Sequence, residues 1–207
     1  MARATPKKSA RKAEQRADWD GWLEELQQET HRGAALVGAA FLDAWLEEAL
    51  TNFLVPDPQE VGRLMRGALG SFGARIDAAY CLGLLSAGDV ADLREIQQIR
   101  NDFAHELHGL SFDSPGVQER CARLHGIGSL GLEVPLLPPS VARNRFIVAV
   151  VVLANRIAMT ALAAKHHQRT IGPPYKPVKL VLRGVEIPPV PDTTTGTTRL
   201  GEEAETT

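Results

Sequence analysis

Cysteine is scarce in this sequence. Cys81 and Cys121 are the two present, they lie far apart and they form no Cys-x-x-Cys unit. That excludes a disulfide-stapled scaffold and gives no zinc-finger or dithiol redox motif. Free thiols in a reducing cytoplasm are expected, and no apolar signal segment precedes the body. No Walker phosphate loop occurs either. Long apolar runs are missing too: the longest, Phe146 to Ala154, is about half of what spans a bilayer, and polar Asn155-Arg156 follows it. The expectation is a chain with no membrane contact.

Excess positive charge is absent as well. The net charge is −2, but Arg3, Lys7, Lys8, Arg11, Lys12 and Arg16 face only Glu14 within the first 17 residues. The rest holds 17 basic and 24 acidic residues, a net of −7. Affinity for a phosphate backbone rests on Lys and Arg, so contact with RNA or DNA is expected only locally or through the tail.

With 207 residues, 44% of them hydrophobic, the chain can bury one substantial core. Residues 1–17 read as a disordered basic tail, either a nucleic-acid arm (Lys7, Lys8, Arg11, Lys12) or a solubilising leader. Residues 18–170 read as a helical domain, 171–190 as an extended arm or short strand, and 191–207 as a second disordered tail.

Helical signals fill the middle. Asp18 and Asp20 cap a helix carrying Trp19, Trp22, Leu23 and Leu26, and a long helix runs from about His31 to Leu54. Asp57-Pro58-Gln59-Glu60 has the pattern of a capping box. A helix is expected over 74–85, and Ser86-Ala87-Gly88-Asp89 starts another. Ser114-Pro115 opens a short helix, and a glycine- and proline-rich loop leads to a last helix from Ser140 to about Lys165. That helix is apolar on every side over 146–154, which suggests the centre of a bundle or a dimer interface. Lys165, His166, His167 and Arg169 suit its negative C-terminal end. The fold class expected is all-α: a multi-helix bundle with two disordered tails.

The segment 75–98 has the outline of a helix-turn-helix. Its second helix carries Asp89, Asp92 and Glu95 against Arg94, which opposes reading a DNA groove.

The most informative stretch is Ile99-Arg100-Asn101-Asp102-Phe103-Ala104-His105. At about 100° per residue, Arg100 falls inside an apolar arc of Val90, Leu93, Ile96, Ile99, Phe103 and Leu107, while Asn101 and His105 share another face. An arginine there calls for a buried ion pair. Asp43 and Glu47, bordering the apolar face of the 31–54 helix, are the candidate partners. Asp102, His105 and His108 drift around the helix and make a poor metal set, so no metal and no cofactor is expected.

The blocks Arg32-Gly33-Ala34-Ala35, Phe41 to Glu48, Ser71 to Ile76, Ala79 to Leu84 and Ile99 to His105 resemble the mannitol operon repressor family over residues 30–125. The resemblance implies an all-helical regulator without an ordinary DNA-binding domain, acting through partners. Arg100-Asn101 followed by His105 is also similar to the Arg-x4-His motif of the HEPN superfamily, which implies a metal-independent endoribonuclease. There His105 would take the 2′-hydroxyl proton, Arg100 would hold the phosphate and Asn101 would orient either. Arg100 and His105 diverge by about 140° on a helix, so a homodimer would be needed to build one composite site.

Overall fold

The sequence folds into the helices that its capping residues mark out. The structure, a computed structural model, describes residues 19–106, 108–125, 142–172, 180–182 and 185–187. Among the described residues, seven helices lie in the first of two units, Met1–Thr170. They are α1 (Trp19–Gln28), α2 (His31–Phe53), α3 (Pro58–Arg66), α4 (Phe72–Cys81), α5 (Ala87–His105), α6 (Pro115–Ala122) and α7 (Ala142–His166). The expected all-α bundle is found. Lys7, Lys8, Arg11 and Lys12 fall outside the described residues, as do the C-terminal tail and the loop 126–141. In the second unit, β1 (Leu180–Leu182) pairs antiparallel with β2 (Val185–Ile187), placing Val181 opposite Glu186. The stretch expected as an arm or strand thus contains a hairpin.

The caps differ in how fully they are used. Ser86 and Asp89 exchange both arms of a capping box. Asp57 receives the amides of Gln59 and Glu60 behind the leading Pro58, but Glu60 turns to Arg63 and leaves the return arm unmade. The Ser114 hydroxyl oxygen accepts from the amide of Ser111, outside α6. Gly83, at φ +72°, ends the turn after α4 in the left-handed region that suits glycine.

α2 is the central helix, burying Ala34, Ala35, Ala39, Leu42, Leu46, Ala49 and Leu50. Its small residues let α7 lie close. A Cβ on Gly38 would stand 3.2 Å from the Phe146 ring and 3.3 Å from Val150. Fourteen residues on, Asn52 donates to the carbonyl of Ala161 at 3.0 Å, so α2 and α7 run parallel. Phe103, Phe112 and Phe146 meet in the core, with neighbouring ring centroids 5.1 Å apart.

α7 is apolar enough over 24 residues to cross a membrane by length and composition, so the nine-residue run underestimated it. Within the bundle, however, Phe146, Ile147, Ala149, Val150, Val152, Leu153 and Ala154 are all buried. Val148 and Val151 of the same run are half-buried, and Met159 and Leu162 further along α7 are exposed.

Two arginines in the first turn of α7 complete other helices. Arg143 donates to the carbonyls of Leu26, Gln27 and Glu29 at the end of α1. Arg145 does the same for Cys121, Ala122 and Leu124 at the end of α6. Each satisfies backbone acceptors that a helix end leaves open. Arg169, expected at the end of α7, instead serves α2: its amide donates to the Phe53 carbonyl, and its guanidinium lies 4.7 Å over the Phe53 ring.

Asp43 and Glu47 do hold a buried arginine, but it is Arg75 of α4 and not Arg100. Arg75 Nη1 lies 2.7 Å from both Asp43 oxygens, and Nη2 lies 3.3 Å from Glu47. α4 and α5 run antiparallel, with Gly73 against Gln97 and Asp77 against Arg94. Arg100 lies one turn past Gln97, beyond the start of α4, and is exposed there. Replacing Arg75 with Met leaves two half-buried carboxylates without a counter-charge and should cost about 2 kcal/mol, below the fully buried range because Asp43 and Glu47 keep some water. Arg100→Ala should change stability by less than about 0.5 kcal/mol. Urea denaturation of both variants checks this; equal losses would contradict the assignment.

Candidate functional site

Four acidic side chains along α5 are matched by basic partners on α6, α7 and the residues after α6. Asp89 takes Nη1 of Arg156 at 2.7 Å and the Ser86 hydroxyl at 2.6 Å. Asp92, 2% exposed, receives the backbone amide of His125 at 2.9 Å, with the His125 ring nitrogen Nδ1 3.5 Å away. Glu95 is held by both ends of the Arg123 fork, at 2.8 and 3.0 Å, with Arg120 at 3.5 Å. Asp102 takes Arg120 Nε at 3.0 Å. The residues that looked like a phosphate-repelling recognition face are therefore engaged within the protein, and α5 packs on α2, α4, α6 and α7.

Below these pairs, α5 and α6 part to form an open cleft of about 490 Å³. Asn101 and His105 line it together, as their shared face required. His105 is exposed, and its ring has no hydrogen-bond partner among the described residues. Arg100 is not in the lining. It reaches the site only by donating to Asn101 Oδ1 at 3.0 Å. α2 fixes one rim: Arg32 donates to the Glu106 carbonyl at 2.6 Å, and His31 Nδ1 accepts the Phe112 amide at 3.0 Å. Arg120 and Arg123, missed in the sequence, form the facing wall. Their signal was the spacing of basic residues at the end of α6 and just after it, opposite Glu95 and Asp102.

The cleft's electrostatics follow from these pairs. Asp102, Glu106 and Glu119 outnumber Arg120 and Arg123 in the lining, and both arginines already face carboxylates. A polyanion finds no net attraction there. Both guanidiniums that line the cleft beside His105 are already paired with carboxylates. Among the described residues no group of three His, Cys, Asp or Glu side chains could hold a metal ion.

Protonation states reinforce the pairing. The hydrogen bond from Arg123 holds the Glu95 carboxyl below its ordinary range, against partial burial, and Glu95 in turn raises the Arg123 guanidinium. Burial pushes Asp89 up, but the bonds from Ser86 and Arg156 outweigh it and leave the carboxyl lowered. Cys121 is pushed up to about 12 by burial and stays an unreactive thiol.

A lowered folded-state pKa contributes stability above the unfolded value, about 4.3 for Glu, and that contribution is lost as pH falls through the folded value. Glu95→Gln should therefore cost about 1 kcal/mol at pH 7, and the gap from wild type should close towards pH 3. Chemical denaturation at pH 7, 5 and 3 measures it. A gap that persists at pH 3 would show that the carboxylate is not its source.

No protein-family model matches the chain, and no curated protein sequence matches it. Among solved structures, a chain in the crystal structure of the MtlR-HPr complex from Escherichia coli is similar, with 16% sequence identity and a TM-score of 0.53. The match covers 67% of this chain and 97% of that one. At that identity the likeness is one of fold, and it agrees with the all-helical fold expected from the sequence.

Proposed function

We propose that this chain is a regulatory protein that acts by binding a protein partner at the α5/α6 cleft and carries no chemistry of its own. The observation behind this reading is the state of the cleft's arginines. Arg120 and Arg123 are bound by Glu95 and Asp102, and the lining has an acidic surplus. Such a surface suits a mixed polar contact with a protein better than the capture of a phosphodiester. The likeness in fold to a chain from a complex with HPr adds support, because it links this architecture to work through a bound protein.

One feature favours the second reading, a metal-independent endoribonuclease of the HEPN type. Asn101 and His105 stand side by side in an open cleft, and Arg100 touches Asn101. A homodimer would have to bring a second Arg100 to the first His105.

The two readings separate in cells. Photo-crosslinking from position 119 on the cleft should give an adduct with one defined host protein, absent when the crosslinker replaces exposed Glu24. Expression of wild type and of His105→Ala should leave growth and cellular RNA alike. Growth arrest with RNA cleaved in EDTA to 2′,3′-cyclic phosphate ends, and lost in His105→Ala, would overturn the regulator and establish the nuclease.

A further inference from the structure

A second cavity, of about 540 Å³, shares no residue with the cleft. It opens between the second half of α2, the connection after it, and α3, with Arg75 of α4 also in its lining. Its volume lies within the roughly 300–1,000 Å³ of pockets that take small organic ligands. Part of the lining is apolar, formed by Val55, Pro56, Val61 and Met65. The charged groups in it are unevenly satisfied. Glu47 is bridged to Arg75, and Asp57 is occupied by the two amides it caps. Arg63, on the same helix, has Glu60.

Arg66 is different. It lines the cavity without a carboxylate partner among the described residues. It folds back over Gly62, where a Cβ would lie 3.2 Å from its Nη1, so glycine leaves the arginine its place at the cavity. A second donor also lacks an acceptor: the Nε of Arg75, a side chain about nine-tenths buried. Both unfilled groups are N–H donors on cations. The chemistry missing from the lining is therefore an anionic acceptor, and the apolar residues beside it call for an apolar body.

We propose that this cavity binds a small organic carboxylate, with its acid group on Arg66 and its apolar portion on Val55, Pro56, Val61 and Met65. The site is independent of the partner-binding reading of the cleft. A guanidinium and a carboxylate meet as a two-pronged, charge-assisted pair, which a lysine in the same place reproduces only as a point charge.

The test uses the full chain and three probes of equal length: octanoate, octylamine and octanol. Titration followed by amide NMR should show saturable octanoate binding, with shifts concentrated on residues 47–66. Octylamine and octanol should bind at least about tenfold more weakly. Arg66 is exposed, so Arg66→Ala should fold normally and lose about tenfold in octanoate affinity, with Arg66→Lys in between. The proposal fails if octylamine binds as well as octanoate, if Arg66→Ala binds octanoate like wild type, or if about 1 mM octanoate shifts nothing.

Discussion

The close approach of α2 and α7 is the constraint on which the other packing rests. Gly38 has no side chain because the Phe146 ring and Val150 occupy its place, and Ala34, Ala35, Ala39 and Ala49 keep the rest of α2 narrow. Two helices brought this near bury most of each other's apolar surface, and dense packing gives the fold its definition. α5 then lies antiparallel to α2, with its first turn tied to α7 by Asp89 and Arg156 and its end tied to α2 by Arg32. The aromatic trio of Phe103, Phe112 and Phe146 fills the space where α5, α7 and the connection before α6 converge. The cleft exists because α6 is short and diverges from α5 below these contacts.

Charge in this molecule is mostly structural. Asp43, Glu47, Asp89, Glu95 and Asp102 each face an arginine, and Asp92 faces His125. Such pairs contribute modestly to stability, since desolvation offsets much of the attraction, but they fix which helix faces which. They also explain why an acidic body can carry many arginines and still present no phosphate-binding wall at the cleft. At the cleft, Arg120 and Arg123 are matched by Glu95 and Asp102 from within.

Much of this was legible in the sequence. The described helices, most of their boundaries, the caps at Asp57 and Ser86 and the shared face of Asn101 and His105 follow from local spacing, which a single helix fixes by itself. The partner of Asp43 and Glu47 was not legible, because choosing between Arg75 and Arg100 depends on where α4 begins relative to α5. Arg75 carried the same sign as Arg100: it shares an arc with Phe72, Ile76 and Ala79. The apolar run of α7 was visible, but whether one chain or two buries it depends on how many helices surround it. The arginines of α7 that finish α1 and α6 give no local signal, since their acceptors are backbone carbonyls more than 20 or 110 residues away.

That last arrangement matters during synthesis. The C-terminal end of α1 gains its guanidinium only when Arg143 arrives, and the apolar face of α2 is covered only when α7 follows. At about 5–20 residues per second, more than a hundred residues of delay leaves the emerging N-terminal half incomplete for on the order of ten seconds. A ribosome-bound chain lacking α7 therefore presents a long strip of Ala, Leu and Phe to its surroundings, and a holding chaperone has its clearest opportunity to engage in that interval.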